Sequence, residues 1–554
     1  MKRKFSLIVT WVLVIMLLVP HIGLAQGETY TISEKTRKAY EILSKDVNIQ
    51  KGLDFIEADD ENTLKEQIEI CEIPAPPFKE EVRAEDYMKR LEELGLQDIK
   101  MDSEGNVFGI RRGTGDGPKL LVTAHLDTVF PEDTDVTVRE KDGIYYAPGI
   151  ADDSRGLAAL LSVVRAFNEL GIQTVGDIVF GGDVGEEGLG DLRGVKALFR
   201  DNKDFDGYIS IDGTGHTSVT YLATGSHRYK ITYNGPGGHS FGAFGLPSAI
   251  HALGRAISKI GDIVTPKEPR TTFTVGTVEG GTSVNSIAGE AKMLVDMRSN
   301  DENELLKVEA KFLEIVKQAV VEENERWESD EITVDIKLVG DRPAGSQSSN
   351  LPIVEAAWMS TRVMGQEPRL SGPSSTDSNL PISLGIPAIT IGGGGKSGNG
   401  HAVTEWYDPT DAYMGPQKIF LTILGLVGVD EITEPLLQKK AEVINLEING
   451  EIIKPLVPPY KEGDIIMIPL RAVFDELGGS VEYLADSKTA KIDYQNQTLL
   501  VPIGEEKVNL NDQVITLPIN SKLVNNRTMI PIDILTDMGI NNVYDVSLKT
   551  LIIN

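Results

Sequence analysis

The chain has 554 residues, 41% of them hydrophobic and 25% charged, the balance of a globular protein too long for a single core. A formal net charge of −29 and a pI near 4.7 argue against nucleic acid or an anionic membrane surface as a partner. Cys71 is the only cysteine, which excludes an intrachain disulfide and a thiolate-built metal site, so any metal here is held by histidines and carboxylates.

In chain order, Lys2, Arg3 and Lys4 precede the apolar run FSLIVTWVLVIMLLV, and IGLAQ follows Pro20. This pattern predicts a secretory signal segment over residues 1–25, cleaved after Ala25, and hence an extracellular protein. A retained membrane anchor is the alternative, for which the run is short. Residues 26–61 read as a charged helical extension. From GNVFGIRRG to YISIDGTG, apolar β-rich runs (KLLVTAHLDTV, GDIVFGGDV) alternate with helical ones (GLAALLSVVRAFNELGI), which predicts an α/β layer with a mainly parallel sheet. That layer takes residues 62–216 and resumes over 338–430. Between them, residues 217–337 read β-α-β-β-α-β, a small two-layer domain inserted into the first. Past residue 440 a repeat appears: MIPLRAVFDELGG (Met467 to Gly479) is echoed by MIPIDILTDMGI (Met529 to Ile540), and Lys488-Thr489 by Lys549-Thr550. A duplicated strand-helix-strand unit over 440–554 is a separate α+β module.

The chemistry-bearing residues stand after apolar runs and beside small residues, where backbone can crowd a bound ion. TAHLDTV offers His125 and Asp127, GIADDSRG offers Asp152 and Asp153, GGDVGEEGLG offers Glu186 and Glu187, SIDGTG offers Asp212, and GNGHAVTEW offers His401. Taken singly, a strand-end aspartate is more often a helix cap and a lone histidine an ordinary polar residue. Together, two imidazoles and several carboxylates without a thiolate suit zinc or a similar divalent ion. Adjacent glutamates repel unless they do different work, one neutralised by a cation and the other left free to accept a proton.

These motifs, in this order over roughly residues 62 to 430, resemble the di-zinc co-catalytic metallopeptidase family of peptidase T, glutamate carboxypeptidase, aminoacylase and succinyl-diaminopimelate desuccinylase. The resemblance implies two zinc ions, with cobalt or manganese as substitutes. His125 and Asp212 would bind one and Glu187 and His401 the other, with Asp152 bridging both. Asp127 would orient the His125 imidazole, and Glu186 would be the general base that deprotonates a bridging water for attack on an amide. Asp153 reads as a hydrogen-bonding neighbour of the bridge, and Asp377 and Asn379 in SGPSSTDSNLP as structural or substrate-proximal. The inserted segment matches the family's lid and dimerisation domain, which implies a homodimer. His239 in GPGGHSFGAFG would reach the tetrahedral intermediate across it, Asn285 the oxyanion, and Arg298 a substrate carboxylate. The structural alternatives are that His239 caps a turn and that Arg298 pairs with a surface acid. His216, His227 and His251 read as structural.

Residues 440–554 resemble the copper amine oxidase N-terminal-like, or stalk, domain appended to secreted proteins of Gram-positive bacteria. No histidine or cysteine follows His401, so a copper site there is not expected, and the module reads as a spacer or a cell-wall interaction unit. The expected activity is hydrolysis of small peptides by a secreted exopeptidase. The alternatives are an N-acyl amino acid deacylase or desuccinylase, and a catalytically silent surface binding protein.

Overall fold

The computed structural model describes residues 30–439, 444–455, 457–484, 487–524, 527–546 and 548–554, and the expected signal segment lies outside them. Among the described residues no helix is long and apolar enough to cross a membrane.

Helices α1 (Glu34–Leu43), α2 (Val47–Ala58) and α3 (Asp60–Cys71) form the expected N-terminal helical stretch. They do not stand apart from the α/β layer. Tyr40, Leu43, Ile49 and Ile56 are fully buried in the same apolar cluster as Leu120, Val122, Phe167 and Phe420. The Tyr40 hydroxyl also donates to the Leu421 carbonyl at 3.1 Å. Each such aliphatic or aromatic side chain contributes roughly 1.5–3 kcal/mol by leaving water, which fixes the three helices to the larger unit.

The large sheet begins with β1 (Gln97–Met101), β2 (Val107–Arg111), β3 (Lys119–His125), β4 (Asp177–Asp183), β5 (Gly207–Ile211) and β6 (Ser218–Thr220). The chain then leaves it to build the inserted sheet from β7 (Gly225–Asn234), β8 (Thr271–Gly280), β9 (Glu290–Ser299) and β10 (Thr333–Arg342). It returns with β11 (Arg369–Ser371) and β12 (Ala388–Ile391). The order in the large sheet is β1-β2-β4-β3-β5-β12-β6-β11. The pairs β4/β3, β3/β5, β5/β12 and β6/β11 are parallel, so the expected parallel core is present. One edge is an antiparallel addition, because β1 and β2 form a hairpin turned at Gly105, whose φ of +105° suits glycine. β3 and β4 are buried along nearly their whole length, as a sheet covered on both faces requires.

The inserted domain has the expected β-α-β-β-α-β order, with the antiparallel sheet β8-β9-β7-β10 and helices Ala249–Ile260 and Glu302–Arg326 packed on one face. Two details differ from the boundaries 217–337. β6 pairs with the large sheet, its three residues being too few to carry a periodicity of their own, and β10 extends the inserted sheet to Arg342.

The C-terminal module has its own core, including Ile468, Phe474, Ile492, Ile530, Leu535 and Leu551. The two repeats pair directly: strand Ile465–Pro469 lies antiparallel to Arg527–Pro531. Each runs into a short helix, Leu470–Glu476 and Asp533–Asp537. Lys488 and Lys549 both take positive φ just before the strands Thr489–Tyr494 and Thr550–Ile553, so the echo in sequence is an echo in backbone.

Candidate metal centre

Because β3, β4 and β5 are parallel neighbours, the residues at and after their C-terminal ends gather at one edge of the sheet. His125 ends β3, Glu186 and Glu187 follow β4, and Asp212 follows β5. Asp152 comes from the turn before the helix Ser154–Leu170, and His401 from the loop after β12, where it holds a left-handed φ of +63°. The six converge. His125, Asp152 and Asp212 offer ligand atoms within 4.8 Å of one another, and so do Asp152, Glu187 and His401.

Asp152 belongs to both groups and turns one oxygen to each imidazole. Its Oδ1 is 2.9 Å from His125 Nε2, and its Oδ2 is 3.2 Å from His401 Nε2. That is the arrangement of a carboxylate able to bridge two cations. His401 Nε2 also lies 2.9 Å from Glu187 Oε1. The expected donor set, the imidazoles of His125 and His401 with the carboxylates of Asp152, Glu187 and Asp212 and no thiol, fits two borderline divalent ions such as zinc.

The supports of these ligands are as specific as the ligands. The His125 ring is oriented through Nδ1 by the backbone carbonyl of Asp127 at 2.9 Å, whereas the Asp127 carboxylate is 3.7 Å away. The expected orienting role of Asp127 thus falls to its main chain. Its carboxylate, fully buried, accepts the backbone N–H groups of Glu186 at 3.0 Å and Glu187 at 2.8 Å and so fixes the glutamate pair. Asp153 caps the following helix by accepting from the Gly156 amide at 3.1 Å. A Cβ on Gly156 would lie 2.4 Å from the Asp153 carboxylate oxygens, so the motif needs glycine there.

Two supports were not singled out in the sequence. Glu405, buried, accepts the amides of Gly149, Ala151 and Asp152 at 2.9–3.1 Å and shapes the turn that presents Asp152. Arg342, at the end of β10, places Nη1 3.0 Å from Glu186 Oε1 and its second terminal nitrogen on the Glu186 carbonyl. Glu405 is the one acid in GHAVTEW, and Arg342 stands where a strand ends at Pro343, but neither signal is strong without the fold.

The electrostatics are those of crowded acids. Burial, with the charge of Asp152, pushes Glu187 up to about 7 and Asp212 up to about 6. Burial raises Glu186 well above the carboxylate range, against the opposing charge of Arg342. His401 is pushed up to about 9 by its hydrogen bond to Asp152. His125 is held well above its ordinary value: burial pulls it down, but Asp152 and Asp153 outweigh that. Asp152 itself is lowered, its burial outweighed by the two imidazoles.

The cluster opens into a cleft of about 500 Å³. Asp152, Glu186, Glu187, Asp212 and His401 line it together with Arg298. His239 and Asn285 do not line it. They sit near each other on an exposed two-stranded ribbon of the inserted domain, His239 opposite Ser286. The His239 Nδ1 accepts from the amides of Phe241 and Gly242, so it does cap a turn, and Arg298 does pair with an acid, Asp296 at 2.8 Å. Asn379 is structural: its side-chain amide donates to the carbonyls of Thr224 and Pro343. Asp377 is buried. His227 and His251 lie against Glu309 and Glu323 on the inserted domain, and His216 stays outside both ligand groups.

Residues 121–424 match the model of peptidase family M20/M25/M40, and residues 447–553 match that of the copper amine oxidase N-terminal domain. The chain is 26% identical over 363 residues to the uncharacterized protein YqjE of Bacillus subtilis, which covers 62% of this chain and 89% of that protein. Among solved structures, a tripeptidase from Staphylococcus aureus superposes with a TM-score of 0.55 at 24% identity, covering 66% of this chain and 97% of that one. The YXEP protein of Bacillus subtilis, described as a dinuclear metal-binding peptidase, does so with a TM-score of 0.51 at 17% identity, covering 66% and 99%. At these identities the two structures establish a shared fold.

Proposed function

Since the chain belongs to peptidase family M20/M25/M40 and is thus a peptidase or amidohydrolase, we propose that it is an extracellular, zinc-dependent exopeptidase cleaving amide bonds of small peptides. The observation that carries this reading is the two-way approach of Asp152 to His125 and His401, with Glu186 alongside, close to His125 and Glu187 but in neither group that shares Asp152. His125 and Asp212 would hold one ion, Glu187 and His401 the other, and Asp152 both. A bound ion pair would supply a polarised amide carbonyl and a water made acidic near neutral pH.

The chain's own residues do the rest. Glu186 Oε1 is tied to Arg342, which leaves Oε2 as the oxygen to take a proton from the attacking water and return it to the leaving amine. Asp127 and Glu405 hold the two glutamates and Asp152 in place, so little reorganisation accompanies the proton transfer. The likeness to a tripeptidase favours peptides, and deacylation of N-acyl amino acids is the second reading, since the same constellation serves any small amide.

The exposed ribbon of His239 and Asn285 supports a homodimer, in which a partner's inserted domain would bring these residues to the cleft. Phe241 is 89% and Val284 103% exposed beside them, and β8 is a largely exposed edge strand. The C-terminal module would act as a spacer or surface-binding unit, with no histidine or cysteine to hold copper.

The test is a panel of di- and tripeptides and N-acyl amino acids assayed after chelation and after reloading with zinc, cobalt or manganese. Hydrolysis that disappears with the metal and returns with two equivalents is expected. Chelator-resistant hydrolysis, or none with any metal, overturns the reading.

A further inference from the structure

The turn that presents Asp152 is held from a second side, by the N-terminal helix α3. Gln67 and Cys71 stand four residues apart on that helix, so they share a face, and both are fully buried. From this face the Gln67 side-chain amide donates to the Ile150 carbonyl at 2.7 Å, and the Cys71 thiol lies 3.6 Å from the Pro148 carbonyl. The buried Ser154 hydroxyl donates to the Gly149 carbonyl at 2.7 Å.

One peptide unit is thereby gripped at both ends. The unit joining Ile150 to Ala151 gives its N–H to Glu405 Oε1 at 2.9 Å and receives Gln67 Nε2 on its carbonyl at 2.7 Å. A peptide unit is planar, so holding both of its polar groups fixes its rotation and with it the direction in which the chain enters Asp152. Glu405 Oε1 also accepts the Asp152 amide, at 3.1 Å. The acceptor stands four residues after His401, whereas the donor comes from a helix that precedes the matched stretch 121–424.

Glutamine is an expensive residue at this position. Its helix neighbours Leu64, Ile68 and Cys71 join Ile150, Ala151 and Tyr407 in one apolar cluster. Gln67 Oε1 is buried there with no hydrogen-bond partner among the described residues. Its two ends cannot exchange roles, since the Ile150 carbonyl only accepts. An aliphatic side chain of the same length would suit the cluster better, because a buried polar atom without a partner is destabilising. Gln67 thus departs from the local pattern at the point where its donor meets the turn, which is where functional residues depart from it.

We propose that Gln67 is a positioning residue of the metal centre. By locking the Ile150–Ala151 unit it keeps one Asp152 oxygen towards His125 and the other towards His401. It therefore acts on both ions together while touching no ligand side chain. This rests on the two-ion reading above and deepens it.

The test is calorimetric titration of the metal-free full chain with zinc, read beside the melting temperature. Gln67→Met keeps the length of the side chain and removes the donor. Ile70→Val trims a fully buried residue of the same helix and reports what loosening α3 does by itself. The parent is expected to take two zinc ions, and Gln67→Met to bind both about tenfold more weakly. Ile70→Val should lower the melting temperature and leave both affinities within about twofold of the parent. Gln67→Leu, a second variant without the donor, decides the matter if Gln67→Met does not fold. Unchanged zinc affinity in the donor-free variant overturns the proposal. So does a loss confined to one ion, or an equal loss in Ile70→Val, because Gln67 would then act on one ligand or through helix packing alone. A parent that takes two ions equally well with and without Gln67 removes this role and leaves the two-ion reading standing. A parent that takes fewer than two removes both.

Discussion

Glu186 and Arg342 form a buried ion pair, Oε1 to Nη1 at 3.0 Å, between the loop after β4 and the last strand of the inserted domain. Burial drives the Glu186 carboxyl towards its neutral form, and Arg342 is the largest influence in the opposite direction. Arg342→Ala should therefore raise the Glu186 pKa further and move the acid limb of the pH–rate profile to higher pH. Turnover at neutral pH should fall about 10- to 100-fold with metal content unchanged. Leaving a buried charge unpaired costs about 3–5 kcal/mol, so a lower melting point is also expected. Arg342→Lys should retain part of both. An unshifted acid limb in Arg342→Ala would exclude Arg342 from tuning the base.

The metal-free cluster should make stability depend on pH in a defined direction. Glu187 titrates at about 7 in the folded chain against 4.5, Asp212 at about 6 against 3.8, and His401 at about 9 against 6.5. The first two are raised chiefly by burial and the third by its bond to Asp152. In every case the folded state binds the proton more tightly, so the stabilisation is complete below the unfolded value and is lost as pH rises through the folded one. Asp152, whose carboxyl is lowered, acts oppositely, and its contribution disappears only as pH falls below about 3.8. Chelated protein should lose roughly 5 °C of melting temperature between pH 5 and pH 9. Zinc-loaded protein should not, because deprotonated ligands bind metal more tightly. Parallel melting curves with and without zinc would contradict this.

What could be read from the sequence, and what could not, follows from how locally each feature is encoded. His125, Asp152, Glu187 and Asp212 each follow an apolar run closely and stand beside glycine or alanine, a local signature, while His401 lies between Gly400 and Ala402 in a glycine-rich loop. The order of the inserted domain was legible for the same reason, since each strand and helix carries its own period. Arg342 and Glu405 were not. Nothing near Arg342 announces that its guanidinium crosses to a glutamate 156 positions earlier, and Glu405 looks like a loop acid until the turn Gly149–Asp152 closes around it. The short β6 and the docking of α1–α3 were missed because both are decided by partners distant in the chain.

Asp127 offers a test of support without ligation. Its carboxylate holds two backbone amides and stands outside the ligand groups. Asp127→Ala should weaken metal affinity about 10- to 100-fold, as removal of groups behind a ligand does, and lower kcat through misplacement of Glu186. Asp127→Asn, which keeps one acceptor oxygen, should lie between it and the parent. Metal titration followed by activity at saturating zinc separates the two effects. Unchanged zinc affinity in Asp127→Ala would show that the glutamate pair is held by other means.

The position of His239 makes a prediction about assembly. It sits on an exposed ribbon and does not line the cleft of its own chain, so a catalytic part for it requires a second copy. Glu186→Ala and His239→Ala should each be nearly inactive alone. In a two-fold dimer the mixed pair regains one complete site, because the Glu186→Ala protomer lends an intact His239 to the partner that has kept its base. Random exchange of an equal mixture gives half mixed dimers, each with one working site of two, and so about a quarter of wild-type activity per protomer. Recovery near that level, rising with the time allowed for subunit exchange, is the expected outcome. A mixture no more active than the mean of its parts would place the action of His239 within one chain or outside the reaction.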